Sequence, residues 1–159
     1  MSIKPAGPVK LTPVKLTVAA ALALACLAGS VARAEVDPKS IALTLPKDIK
    51  WTGDKVKSAV LYGDPKKAGS YYVMLLRWPP NWSTRPHAHP NDRMITVLEG
   101  TLWVGTGTKF HPETNTPVTA GGFLVDNAGE PHYEITKGDG ALIEITGLGP
   151  DTMIPKEEK

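Results

Sequence analysis

Three histidines carry the strongest signal for chemistry in this sequence of 159 residues. Two of them lie in the tripeptide His87-Ala88-His89, and His132 follows more than forty residues later. In a β-strand, residues i and i+2 point to the same side, so His87 and His89 would aim both imidazoles at one point. The alternative is that both face solvent in a proline-rich loop, and a bare His-x-His pattern does not decide between the two.

The spacing around the histidines extends this pattern. Arg93 follows His89 after three residues, and Gly100 follows Arg93 after six. Further along, Gly121 precedes Asn127-Ala128-Gly129 by five residues, and His132 comes after two more. This arrangement resembles the two motifs of the cupin superfamily, G-x5-H-x-H-x3-E-x6-G and G-x5-P-x-G-x2-H-x3-N. The match spans about residues 70 to 147, and it also resembles a group of exported bacterial single-domain cupins with an RmlC-like jelly roll.

The sequence departs from these motifs at four positions. Asn81 stands where the leading glycine belongs, Asn127 replaces the proline, and Thr136 replaces the final asparagine. The fourth departure is Arg93, which occupies the place of the family's glutamate ligand. A guanidinium about 5 Å from a divalent ion would be repelled by about 6 to 7 kcal/mol at an effective dielectric of about 20.

The resemblance implies that His87, His89 and His132 bind one divalent metal ion inside the barrel. Without a thiolate, imidazole and carboxylate ligands suit Zn, Fe, Mn, Ni or Cu. Glu134 would face the same side of its strand as His132, so it is the candidate for the missing carboxylate and for an ion pair with Arg93. The alternative for Glu134 is a solvent-exposed carboxylate at the barrel mouth. We assign catalytic roles to Arg93, as a clamp on a substrate carboxylate, and to Glu134.

The elements that would position these residues are short strands. Fifteen Gly and fifteen Pro favour turns, and no long window after Glu35 has helical periodicity. Seven strand candidates separated by turns predict an all-β sandwich or barrel, which the resemblance narrows to a single-domain jelly roll over 35–159 with its core at about 56–147. The seven candidates are Val56 to Tyr62, Ser70 to Trp78, Met94 to Leu98, Thr101 to Gly105, Gly122 to Val125, His132 to Thr136 and Ala141 to Thr146. We expect the tail from Pro150 to be a peripheral, mobile arm.

The first 34 residues read as a cleaved signal peptide. Three lysines precede an apolar run from Leu16 to Leu27, which is shorter than a bilayer span, and an A-x-A site ends at Ala34. This predicts a periplasmic or secreted protein without a membrane span. The minor alternative is a lipoprotein modified at Cys26, the only cysteine.

Removal of residues 1–34 changes the sign of the net charge. The segment contains four of the 18 basic residues and none of the 16 acidic ones, so 14 basic and 16 acidic residues remain. No basic stripe is left for nucleic acid.

We therefore expect a small-molecule substrate or ligand. The leading hypothesis is a periplasmic metal-dependent enzyme of the oxygenase or lyase type, acting on a small organic substrate that carries a carboxylate. The alternatives are a non-catalytic module that binds a metal or a small ligand, and a metal-free cupin. The resemblance also implies a homodimer.

Overall fold

Residues 35–158 are described by a computed structural model. The predicted signal peptide, its cleavage site and Cys26 lie outside the described residues. None of the helices within residues 35–158 has the length and apolar character needed to cross a bilayer.

The described residues form nine strands, all within a compact unit that begins at Pro38. Two short 3-10 helices cover Pro46–Asp48 and Pro112–Thr114. The strands are β1 (Lys57–Gly63), β2 (Tyr71–Trp78), β3 (His87–Ala88), β4 (Arg93–Thr106), β5 (Thr116–Thr119), β6 (Phe123–Asp126), β7 (His132–Ile135), β8 (Ala141–Leu148) and β9 (Ile154–Pro155). The predicted all-β class is therefore confirmed.

The strands curl into a half-barrel in the order β1-β2-β8-β4-β7-β3-β9, and β5 and β6 also pair with β4. The pairings between these strands are antiparallel, and β4 takes part in four of them. Its first half pairs with β6 and β8, whereas its second half pairs with β5 and β7. The long strand β4 thus connects the two sides of the half-barrel.

The bend in β4 falls where the sequence predicts a turn between two strands. The strand continues through this point with a register shift against β8 between Val97 and Glu99. Gly100 has φ +70°, and a Cβ there would lie 2.3 Å from the carbonyl oxygen of Gly140. Glycine therefore permits both the left-handed backbone and the close approach, and one bent strand replaces the two that were predicted.

The hydrophobic core fills the concave side of the sheet. Alternate residues of neighbouring strands face it, as in the register pairs Ile95 with Ile145 and Val97 with Ile143. All four side chains are almost completely buried. The core therefore rests on the inward-facing residues of β4 and β8.

The prediction that the tail from Pro150 is a peripheral arm is wrong. Residues of β9 pair with β3, where His87 lies opposite Pro155 and Ala88 opposite Ile154. Beyond β9, Glu157 forms an ion pair with Arg85. The composition of the tail did not reveal these partners because they lie more than sixty residues away in the sequence.

Candidate metal centre

Two neighbouring strands bring the three histidines together. His87 of β3 lies directly opposite His132 of β7 in the strand register, and His89 follows β3 on the same side as His87. The ring centroids are 4.5 Å apart for His87 and His132, 4.9 Å for His87 and His89, and 5.5 Å for His89 and His132. One potential ligand atom from each histidine lies within 4.8 Å of those from the other two.

Backbone carbonyl oxygens close to Nδ1 determine which imidazole nitrogen of His87 and of His132 is free to bind a metal. Nδ1 of His87 is 2.8 Å from the carbonyl oxygen of Arg85, and Nδ1 of His132 is 3.0 Å from that of Glu130. A neutral imidazole can satisfy a carbonyl only by donating its proton, which leaves the Nε2 lone pair free. Nδ1 of His89 faces an Asp151 oxygen at 3.2 Å, although not in hydrogen-bonding alignment. This is the outer-shell arrangement that orients metal-binding histidines.

The free nitrogens lack hydrogen-bond partners inside the protein. Nε2 of His89 and Nε2 of His132 are buried and make no hydrogen bond. Buried polar atoms without a partner cost about 1–3 kcal/mol each, so native structures rarely retain them without a ligand. Burial lowers the pKa of His87, against the opposing charge of Glu134, and this favours the neutral form that binds metals. These residues therefore fit a divalent metal ion.

Glu134 lies beside the histidines, on the same face of β7 as His132. Its Oε1 is 3.7 Å from Nε2 of His132, and its Oε2 is 4.0 Å from Nε2 of His87. Oε2 also accepts a 2.8 Å hydrogen bond from the hydroxyl of Thr84. The side chain is only 4% exposed, so Glu134 is not the solvent-facing carboxylate that was the alternative.

Arg93 also points into the barrel, but most of its contacts are with residues that the sequence did not suggest. Its Nε and Nη2 donate to Oδ2 of Asp126 at 3.2 and 2.6 Å, and its Nη1 donates to Oδ1 of Asp151 at 3.3 Å. The predicted partner, Glu134, is 3.8 Å away, within ion-pair distance but beyond a hydrogen bond. Burial by itself would lower the pKa of Arg93, but the three carboxylates outweigh it and raise the pKa.

Asp126 and Asp151 are the residues of this cluster that the sequence prediction missed. Asp126 directly faces Arg93 in the β4–β6 register. The alternation of β6, with Phe123 and Val125 exposed, could have placed Asp126 on the inner face of its strand. Asp151 follows β8 in the tail and carries no such signal. Burial raises its pKa, but the contact with His89 and the charge of Arg93 outweigh this effect and hold the pKa below the usual value.

The formal charges of this cluster match a divalent ion. Three carboxylates, on Asp126, Glu134 and Asp151, surround the one guanidinium of Arg93. With neutral histidines the cluster therefore carries a formal charge of −2, and a divalent cation brings it to zero. Because buried charge is stable only when it is paired, the extra carboxylates would offset the repulsion between Arg93 and a bound divalent ion.

A cavity of about 210 Å³ adjoins the cluster. Asp126, His132 and Glu134 form part of its lining, and apolar side chains, among them Val104 and Leu124, form another part. The cavity therefore places apolar walls beside the polar cluster, a lining typical of small-molecule sites.

Comparisons with known proteins agree with this architecture. The family described as Cupin domain matches residues 74–146. The polyketide cyclase RemF from Streptomyces resistomycificus has a similar structure, with 20% identity, a TM-score of 0.60, and coverage of 75% of this chain and 87% of that chain. An RmlC-like cupin from Shewanella frigidimarina gives 16% identity, a TM-score of 0.53, and coverage of 67% and 89%.

A third similar structure is one described under the DMSP lyases RdDddP and RnDddQII. It has 16% identity, a TM-score of 0.54, and coverage of 70% of this chain and 63% of that chain. No curated protein matches the sequence significantly. The family match identifies residues 74–146 as a cupin domain, and the structural similarity shows an RmlC-like fold. At these identities the solved structures establish the fold alone.

Proposed function

We propose that this protein is a metal-dependent enzyme of the lyase or oxygenase type that acts on a small organic molecule. The observation that carries the proposal is the convergence of three histidines, two of which have a buried Nε2 without a partner. His87, His89 and His132 would hold the ion. Three protein ligands leave positions open for substrate, and the ion would act there as a Lewis acid or, if it is redox-active, bind oxygen.

Glu134 is the proposed catalytic residue of the chain itself. Thr84 holds Oε2 by a hydrogen bond, so Oε1 is the oxygen that can accept a proton from a substrate or bind the ion as a fourth ligand. Both roles need the carboxylate in its ionised form, and the guanidinium of Arg93 lies 3.8 Å from it. We therefore assign Glu134 to proton transfer or metal binding.

For Arg93 the structure supports a positioning role rather than the predicted clamp on a substrate carboxylate. Its guanidinium is buried and already faces Asp126, Asp151 and Glu134. A substrate carboxylate would add a fourth anion around one cation, at a site where the metal balances the existing charge. We therefore propose an uncharged substrate group at the metal.

Metal analysis tests this proposal. The protein is expressed without a histidine tag, purified, and measured by inductively coupled plasma mass spectrometry. We expect about one equivalent of a transition metal in the wild type and none in His89→Ala. Iron or copper would favour the oxygenase, and zinc would favour the lyase, because zinc has no redox chemistry. Wild-type protein that stays metal-free after addition of each metal would support the metal-free alternative.

The proposed location is the periplasm or the extracellular space, after cleavage behind Ala34. The supporting pattern is in the sequence alone, where Ala32 and Ala34 provide the small side chains of a signal peptidase site. Intact mass measurement of the exported protein provides the test. A mature chain that begins at Glu35 is expected, whereas a diacylglyceryl adduct on Cys26 would establish the lipoprotein alternative.

A further inference from the structure

Residues 152–158, called the strap below, run along the strand that carries one of the proposed metal ligands and leads directly to a second. The strap contains β9, which pairs with β3 so that Pro155 lies opposite His87 and Ile154 lies opposite Ala88. On its other edge β3 forms one register pair with β7. Two of these three register pairs of β3 therefore depend on the strap.

Asp151, the residue before the strap, is anchored on two sides. Its amide donates to the carbonyl oxygen of Pro65, in the loop after β1, at 2.7 Å. Its carboxylate lies 3.2 Å from Nδ1 of His89 and 3.3 Å from Nη1 of Arg93. Asp151 is therefore held between that loop and the metal cluster, and it forms the fixed end from which the strap extends.

The strap itself is held by contacts that are individually weak. All of its residues are exposed. The amide of Lys156 donates to the carbonyl oxygen of Pro86 at 2.9 Å, and the carboxylate of Glu157 pairs with the exposed Arg85. Exposed ion pairs contribute about 0–1 kcal/mol each, and a segment with few buried apolar contacts opens locally at a low cost in free energy. The strap can therefore detach while the core strands stay folded.

We propose that the strap controls exchange of the metal ion, so that it opens to release the ion and the bound ion holds it closed. An ion that joins His87 and His89 to His132 of β7 fixes β3 in the position that the strap pairs with. A detached strap leaves β3 with its one register pair to β7, and two of the three ligands gain freedom to leave the ion. By linkage, the ion stabilises the closed strap by the same free energy by which the closed strap stabilises the bound ion. The inference rests on the metal centre proposed above and adds the residues that govern how fast the ion leaves.

Hydrogen exchange tests whether the ion holds the strap closed. The protein purified from expression of the full chain is stripped with a chelator, and one half is reloaded with Zn²⁺. Both forms are followed by hydrogen–deuterium exchange and mass spectrometry of peptides. We expect Zn²⁺ to slow exchange in the strap peptide by a factor of about 10 or more, within the usual range of coupling between sites. A peptide from β8, which contributes to the core, is the control and should exchange slowly in both forms.

Release of Zn²⁺ to an excess of a chromophoric chelator tests whether the strap retains the ion. Lys156→Pro removes the amide that donates to Pro86, whereas Lys156→Ala keeps that amide and is the matched control. Lys156→Pro should release Zn²⁺ about 10 times faster than the wild type or more, as for other lost outer contacts at metal sites, and Lys156→Ala should release it at the wild-type rate. Glu157→Arg should also speed release. The double variant Arg85→Glu/Glu157→Arg restores the ion pair with reversed charges and should slow release again. All variants should keep the β-sheet circular dichroism spectrum.

Failure of the strap and failure of the metal centre give different results. A wild type that binds neither Zn²⁺ nor any other transition metal would overturn the proposed function, and the strap proposal with it. A wild type that binds Zn²⁺ but shows the same exchange of the strap peptide with and without the ion would overturn the strap proposal alone. Equal rates of Zn²⁺ release from Lys156→Pro and Lys156→Ala would also overturn the strap proposal and leave the metal centre intact.

Discussion

The substitution Arg93→Met tests how the positive charge of Arg93 affects protein stability and metal binding. Asp126, Asp151 and Glu134 approach the guanidinium to 2.6, 3.3 and 3.8 Å. At an effective dielectric of about 20, each of these pairs corresponds to about 4–6 kcal/mol before desolvation. Desolvation offsets most of this energy, and the measured cost of breaking a buried ion pair is about 3–5 kcal/mol.

Arg93→Met should lower the stability of the metal-free protein but raise its affinity for the metal. Without an ion, three carboxylates lose their cation, so the free energy of unfolding should fall by about 3–5 kcal/mol, or roughly 10–15 °C in Tm. With an ion, the repulsion between the guanidinium and the metal disappears. The carboxylates already screen part of that repulsion, so we expect metal affinity to rise by a factor of about 10 to 100, or about 1.4–2.7 kcal/mol.

Two measurements check this prediction. Thermal unfolding with and without a chelator gives the stability difference, and competition with a chromophoric chelator gives the affinity. Arg93→Lys is the charge-preserving control and should bind the metal about as well as the wild type. Arg77→Met is the control for an exposed pair, because Arg77 and its partner Glu99 are 47% and 59% exposed. Surface pairs of this kind contribute little, so this variant should leave both quantities nearly unchanged.

A double-mutant cycle of Arg93→Met and Glu134→Gln tests whether Glu134 mediates the effect of Arg93 on metal binding. If Glu134 offsets the charge of Arg93, Glu134→Gln alone should weaken metal binding, and Arg93→Met should restore much of the loss. Additive effects would show that the two side chains do not interact. Unchanged or weaker metal binding in a folded Arg93→Met protein would refute the competition between Arg93 and the metal.

Three further predictions follow from individual contacts. Chelation should lower the Tm of the wild type by about 8 °C if the metal is present at about 100 times its Kd, and His132→Ala should abolish this shift in differential scanning fluorimetry. Asp151→Asn should raise the metal dissociation constant by about 10- to 100-fold in chelator competition, because the carboxylate faces Nδ1 of His89, and an unchanged constant would contradict that role. Tyr72→Phe should increase the free energy of unfolding by about 1 kcal/mol at pH 7, because the Tyr72 hydroxyl is buried without a hydrogen bond. Burial raises the pKa of Tyr72 above that of an unfolded tyrosine, so the wild type should lose stability as the pH rises above about 10, and Tyr72→Phe should lose less in a urea-unfolding series from pH 8 to 11.

The sequence by itself determined the parts that depend on local pattern. Turn residues between short runs of β-branched and aromatic side chains predicted the all-β class, and six of the nine strands overlap the predicted segments. The two-residue alternation put His87 and His89 on the same face of one strand. It likewise put His132 and Glu134 on the same face of a second strand. The spacing of Gly100 and Gly121 around the histidines supplied the resemblance to cupins.

Tertiary structure alone decided which of these sides face one another. The alternation gives each strand two faces, but it does not say which distant strand lies opposite, because pairing depends on packing across the whole barrel. The pairing of β4 with β6 brought Asp126 to Arg93, and the course of the chain after β8 brought Asp151 to Arg93 and His89. An arginine that looked incompatible with a metal was thereby surrounded by carboxylates from distant parts of the chain, and only the folded barrel brings those charges together.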